Sequence, residues 1–117
     1  MTIHAATGIK SYENFDIRMT WLVAISAGST AIAGELRNIR YAMMENIEVR
    51  VTLLDAKGEK VGQGTDFIAG RLTRDERTPF SITLPAAAAP GSRLAFTYKY
   101  HGDETAWQQS FEAELAA

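Results

Sequence analysis

The sequence contains no cysteine among its 117 residues. Without cysteine the chain cannot form a disulfide, offer a thiolate nucleophile or build a zinc–cysteine site. Long apolar runs are also absent, because the longest, residues 21–25, falls far short of the ~20 residues needed to cross a bilayer. No cofactor-binding motif is present either. We therefore expect no cofactor and no direct membrane insertion.

Composition and charge are those of an ordinary globular domain. Apolar residues make up 46% of the chain and charged residues 22%, whereas disordered chains have low hydrophobicity and high net charge. A length of 117 residues fits one hydrophobic core, so we predict a single domain over residues 1–117. The net charge of −2, with acidic and basic residues interspersed, is too small to concentrate a polyanion. We therefore expect no nucleic-acid partner.

The first residues bear on location and order. Residues 1–9 lack the basic segment followed by an apolar segment that marks a signal peptide. If Met1 is the native start, we expect a cytoplasmic protein; if Met1 was added to a shortened chain, an exported or periplasmic location is the alternative. We expect residues 1–13 to be poorly ordered or to form a sheet edge.

Apolar residues recur at every second position in several segments, which is typical of strands that bury one face of a sheet. The first segment, residues 15–25, sets Phe15 on the inner face and Asp16 on the outer face. The clearest segment, residues 47–53, has an alternation that a 3.6-residue helix would scatter around its circumference. The remaining alternating segments are residues 32–36, 60–68, 80–84, 94–100 and 107–115. About seven short strands predict an all-β fold, an immunoglobulin/fibronectin III-like sandwich of antiparallel strands.

Four short features lie between residues 32 and 84. They are a strand from glycine to asparagine, an alternating strand that closes on aspartate, a lysine–glycine turn, and a polar loop between leucine and proline–phenylalanine, at residues 34–38, 47–55, 57–58 and 72–80. On these features the chain resembles the FxLYD family of bacterial and archaeal domains, with Val51 and Leu54 at the phenylalanine and tyrosine of the naming motif. The resemblance implies an immunoglobulin-like fold and an accessory or ligand-binding role, and it implies no catalytic residue.

Residues with reactive side chains are few and scattered. His101, Asp103 and Glu104 fall in one predicted turn and could, with His4, supply ligands to a divalent metal. Turns also favour such residues for backbone reasons, and we prefer that interpretation. Neither histidine belongs to a recognised nucleophile motif, so we predict that the chain is not an enzyme.

Four aromatic residues belong to two predicted strands that should be neighbours: Tyr98, Tyr100, Trp107 and Phe111. Such rings could line a platform for a carbohydrate or a peptide. Their spacing continues the alternation of the core positions, which favours packing inside the sandwich.

We therefore predict a non-enzymatic protein-interaction or assembly module, since sandwiches commonly bind through end loops or exposed edge strands. The candidate partner-binding residues lie in the loops 38–46 and 71–78 and are Arg71, Arg74, Arg77, Met43 and Met44. The long first strand is the candidate edge, and its Leu22 and Ala24 could support self-association. The alternative function is a small-ligand or metal carrier that uses the loop end from His101 to Glu104.

Overall fold

The computed structural model describes residues 3–6, 8–40 and 42–115, and side chains are described from residue 8 onward. In these residues the chain forms nine strands: β1 (Ile3–Ala6), β2 (Lys10–Glu13), β3 (Ile17–Ser26), β4 (Ser29–Asn38), β5 (Met44–Leu54), β6 (Lys60–Leu72), β7 (Arg77–Leu84), β8 (Arg93–Gly102) and β9 (Thr105–Glu114). The predicted all-β class is confirmed, and the seven predicted strands correspond to β3 through β9. No helix in the described part of the chain has the length and hydropathy that spanning a membrane requires.

The strands form two antiparallel sheets that pack face to face. Sheet A has the order β3–β4–β7, and β1 and β2 pair one after the other with the remaining side of β3. Sheet B has the order β6–β5–β8–β9. The chain crosses between the sheets after β4, β6 and β7, as in immunoglobulin-like sandwiches. The prediction that β3 is an edge strand is wrong, because β1 and β2 cover it.

Alternation along the strands decides which side chains enter the core. The inner faces of four strands supply completely or almost completely buried residues: Ile17, Met19, Trp21 and Val23 from β3, Ile47, Val49, Val51 and Leu53 from β5, Phe80, Ile82 and Leu84 from β7, and Leu94, Phe96, Tyr98 and Tyr100 from β8. Burying a side chain of this size stabilises the fold by roughly 1.5–3 kcal/mol. The predicted core of these strands is confirmed, and Tyr98 and Tyr100 pack inside it.

Two residues just before β3 have the opposite orientation to the predicted one. The side chain of Phe15 is 55% exposed, whereas Asp16 is completely buried. Both residues lie in the turn that joins β2 to β3, which Asn14 closes by donating its backbone N–H to the carbonyl of Ile17 at 3.0 Å. Alternation holds only within a strand, so extending the pattern of β3 backwards into this turn assigned both residues to the wrong face.

Candidate functional site

A groove of about 610 Å³ crosses the outer face of sheet B. All four strands of the sheet contribute to it, and the lining residues that matter here are Glu48 from β5, Phe67 and Ala69 from β6, Lys99 and His101 from β8, and Ala106 from β9. We call this feature the outer groove.

Irregular strand pairing shapes one end of the outer groove. The pairing of β5 with β6 slips between Glu45 and Ile47, where β6 holds one extra residue. Asn46 and Gly70 lie in this slip, and both have left-handed backbone conformations, with φ of 52° and 86°. A bulge bends the strand that carries it and increases the local twist. The outer face of sheet B is therefore locally bent here, and the small side chains of Ala69 and Ala106 leave space in the groove.

Phe67 forms an apolar wall of the outer groove and is 73% exposed. Its neighbour Ile68 packs against the core. Because successive residues of a strand face opposite sides of the sheet, only one of the two can be buried. This pair of adjacent apolar residues is the signal in the sequence that could have indicated the groove.

Near the centre of the outer groove, two cations lie close to one anion. Glu48 Oε2 lies 3.6 Å from Lys99 Nζ, which also lines the groove, and 3.8 Å from Arg50 Nη2, which lies beside the lining on the same face of β5. Glu48 itself is mostly buried, with 18% of its side chain exposed. At the bent end, Asn46 Nδ2 lies 3.4 Å from His101 Nδ1. The groove thus combines an apolar wall with charged and polar side chains.

The predicted arginines do not converge on one site. Arg71, at the end of β6, lies 3.6 Å from the carboxylate of Glu45. Arg77, at the start of β7, lies 3.5 Å from the carboxylate of Glu35. Both pairs are exposed, and such pairs contribute about 0–1 kcal/mol to stability. Arg74 lines a separate hollow of about 320 Å³ at the end of the sandwich.

The two predicted methionines have different surroundings. Met43 is 36% exposed and lines a hollow of about 410 Å³ that it shares with His101 and Asp103. Met44 is completely buried. Met44 begins β5 and its side chain enters the core, so the structure corrects its assignment as a surface contact.

The end from His101 to Glu104 is a tight hairpin. Asp103 and Glu104 form the two-residue connection between β8 and β9, and both have left-handed φ values, of 53° and 61°. The Asp103 carboxylate lies 2.8 Å from Arg40 Nη2, so it already faces a cation. Within the described part of the chain, no three His, Asp or Glu side chains are grouped closely enough to hold a metal ion. The side chain of His4, the other suggested ligand, lies outside the described part.

A buried polar cluster lies behind this end of the sandwich. Asp16 accepts hydrogen bonds from the hydroxyls of Tyr98 and Tyr100 at 2.7 and 2.6 Å. Burial, and then the nearby Asp16 carboxylate, raise the pKa of both tyrosine hydroxyls. The guanidinium of Arg40 lies over the ring of Trp107, 4.9 Å from its centroid. Alternation assigned Asp16 to the outer face, and Arg40 lies in the loop between β4 and β5, so the sequence did not indicate this cluster.

The described fold is that of an immunoglobulin-like β-sandwich domain. It is similar to the GAE domain of yeast GGA1, with a TM-score of 0.63 and 11% sequence identity over 90% of this chain and 96% of that chain. It is also similar to the GAE domain of GGA2p from Saccharomyces cerevisiae, with a TM-score of 0.58 and 12% identity over 93% of this chain and 98% of that chain. At such identities the likeness shows the fold alone. No protein-family model and no curated protein matches the sequence, so the resemblance to FxLYD domains stays a prediction.

Proposed function

We propose that this chain is a non-enzymatic protein-interaction module that binds an extended segment of a partner protein in the outer groove. The observation that carries the proposal is Phe67, a large aromatic side chain that is 73% exposed at the wall of a groove. Aromatic residues that are exposed beside a concave surface are enriched at interfaces, where burying them supplies much of the binding energy.

The dimensions of the outer groove suit a peptide. Neighbouring strands lie about 4.8 Å apart, so a groove across four strands spans roughly 14 Å. An extended chain rises about 3.4 Å per residue, so this span holds about four residues. A volume of about 610 Å³ leaves room for the side chains of such a segment.

The chemistry of the outer groove defines the partner segment. An apolar side chain of the segment would cover Phe67, Ala69 and Ala106, removing apolar surface from water. A carboxylate on the segment would lie near Lys99 in the groove, and Arg50 beside the groove adds a second positive charge against the single negative charge of Glu48. We therefore expect a segment with an apolar or aromatic residue next to an acidic one.

Selection from a display library of random peptides tests the proposal. We expect the wild-type chain to enrich peptides that pair an apolar residue with an acidic residue. The variants Phe67→Ser and Lys99→Glu should each weaken binding of the enriched peptides about tenfold or more, which corresponds to about 1.4 kcal/mol. The matched control is Leu22→Ser, because Leu22 is also an exposed apolar residue, at 45%, but lies on sheet A.

The control separates loss of the site from loss of the fold. Both serine variants replace exposed apolar side chains, so both should unfold at the same denaturant concentration as the wild type to within a small margin. Failure to enrich any peptide sequence would overturn the proposal. Equal binding by the Phe67→Ser and Leu22→Ser variants would also overturn it.

A further inference from the structure

Edge strands present backbone N–H and C=O groups that have no partner in the sheet. Folded proteins usually protect such edges with lysine, proline, bulges or a covering segment, since an unprotected edge pairs with other strands. In the described residues the two sheets of this chain have four edges, formed by β1 with β2, β7, β6 and β9. They are protected to different degrees.

Three of these edges, in the described structure, carry recognisable protection. β7 contains Pro79, and the backbone N–H of Ser81 donates to the Asp66 carboxylate of β6 at 3.0 Å. β6 contains three glycines and two irregularities in its pairing with β5. The edge of sheet A beside β3 is divided between β1 and β2, which are four residues each. Each feature hinders the pairing of a long, regular strand.

β9 differs from all three. It is ten residues long and contains no proline, glycine, lysine or arginine, and its only charged residues are Glu112 and Glu114 near its end. It pairs with β8 in uninterrupted register from Thr105 to Glu114, so it carries no bulge. No other described strand pairs with its free side. A regular edge of this length, without proline or a bulge, is suited to pair with another strand.

We propose that β9 pairs with β9 of a second copy of this chain, so that two copies of sheet B form one continuous antiparallel sheet of eight strands. The pairing is two-fold symmetric, and each inner face must continue the inner face of the other copy. Only registers that place outward residues opposite outward residues satisfy this condition.

Charge selects one register among those that pair the whole strand. A register centred on Ser110 places Glu112 opposite Gln108 and Glu114 opposite Ala106, without bringing like charges together. A register centred on Gln109 instead brings Glu114 close to Glu104 in the β8–β9 turn of the other copy, and like charges that face each other are destabilising. The strand is therefore complementary to itself when Ser110 lies on the two-fold axis.

Pairing through β9 has a consequence for the outer groove. Ala106 belongs both to β9 and to the groove lining. The grooves of the two copies would lie on the same face of the joined sheet, on either side of the two-fold axis. A dimer would then offer two equivalent binding sites to one partner. The pairing itself does not depend on what the groove binds.

A single introduced cysteine tests the register, because the chain has none of its own. Directly opposite Cβ atoms lie about 4.5–5.5 Å apart in an antiparallel sheet, close to the distance that a disulfide needs. The Ser110→Cys variant should therefore form disulfide-linked dimers under mild oxidation. The Ser81→Cys variant, exposed on the outer face of β7, is the matched control and should stay monomeric.

Sedimentation equilibrium tests the assembly without any cysteine. The molecular mass measured for the wild type should be about twice the 12.8 kDa of one chain. The Ser110→Lys variant would place two lysines opposite each other on the axis, so its dimer should dissociate at least about tenfold more readily. The Ser81→Lys variant is its control and should dimerise like the wild type.

Two results would overturn the proposal. One is a wild-type mass of 12.8 kDa that does not change with concentration. The other is equal cross-linking by the Ser110→Cys and Ser81→Cys variants, which would indicate random collision. If the wild type is monomeric but β9 accepts a strand from another protein, the edge is a docking site for that protein and the second-copy proposal is wrong.

Discussion

The hydroxyl of Tyr98, on β8, donates a 2.7 Å hydrogen bond to Oδ1 of Asp16, in the turn before β3. Tyr100 donates in the same way to Oδ2, at 2.6 Å. All three residues are buried, and the tyrosines belong to sheet B whereas the turn leads into sheet A. These bonds therefore join the two sheets at one end of the sandwich, and both oxygens of the buried carboxylate have a donor.

Removing one donor from Asp16 should destabilise the fold. In the Tyr98→Phe variant the carboxylate loses its hydrogen bond at Oδ1 while the packing of the ring is retained. Hydrogen bonds to charged groups contribute about 1.5–3 kcal/mol, so we expect a loss of that size in the free energy of unfolding. Denaturant unfolding of the variant and the wild type measures the difference. Equal midpoints and slopes would show that the bond contributes nothing to stability.

Stability should fall at alkaline pH because of the same two tyrosines. The pKa of each hydroxyl is raised in the folded state, by burial and then by Asp16. In the unfolded chain tyrosine ionises near pH 10, so the stabilisation is complete below about pH 10 and is lost as the pH rises further. Each such tyrosine should reduce the free energy of unfolding by about 1.4 kcal/mol per pH unit in that range.

A double variant is the control for this alkaline effect. In Tyr98→Phe/Tyr100→Phe neither buried hydroxyl remains, so stability should decline less steeply above about pH 10. Unfolding curves at a series of pH values from about 8 to about 11 give both slopes. Ultraviolet titration of the folded wild type should show that some of its four tyrosines do not ionise until the chain unfolds. If the free energy of unfolding fell equally steeply with pH in the double variant and the wild type, Tyr98 and Tyr100 would not be the cause of the alkaline effect.

Two glycines of β6 should respond differently to the same substitution. A Cβ at Gly64 would lie 2.6 Å from Ile82 Cγ2, so Gly64→Ala forces the two sheets apart locally. Overpacking of this kind costs about 1–3 kcal/mol. At Gly62 the nearest atom would be 3.7 Å away, so Gly62→Ala should leave stability unchanged or raise it by about 0.4–1 kcal/mol. Thermal unfolding of both variants tests this, and equal losses would contradict it.

The side-chain amide of Asn38 holds the end of β4 in place through hydrogen bonds at both its nitrogen and its oxygen. Nδ2 donates to the carbonyls of Ala42 and Leu72 at 3.0 and 2.8 Å, and Oδ1 accepts from the backbone N–H of Arg40 at 3.0 Å. Asn38→Asp replaces the donor with a carboxylate oxygen that faces two carbonyl oxygens. We expect a loss of at least about 3 kcal/mol at neutral pH, measured by denaturant unfolding.

The acid form of the new side chain provides a check on this mechanism. Once protonated, below about pH 4, the carboxyl can donate one hydrogen bond, so the difference from the wild type should narrow. The matched control is Asn46→Asp, because Asn46 is exposed and should change stability by less than about 0.5 kcal/mol. Similar losses for the two variants would show that burial of the amide is not the cause.

The strands and their core faces could be predicted because alternation is a local property. Ile47 and Val49 are buried on β5 for the reason that the sequence suggests, since water lies on one side of the sheet and the core on the other. The rule failed at Phe15 and Asp16, where the chain turns before β3 begins. It also did not separate Met43 from Met44, because a loop lies before β5 and the start of the strand decides which residue points inward.

The amino-acid sequence alone determined the all-β class, the long strands and most of the core, because these depend on the order of apolar and polar residues along short segments. Only the tertiary structure decided that Asp16 lies against Tyr98 and that Phe67 borders a groove. It also showed that β9 is an edge strand whose pairing with its neighbour has no irregularity. Each of these features requires knowledge of which distant segments become neighbours. That arrangement depends on how whole strands pack together, and no local spacing of residues encodes it.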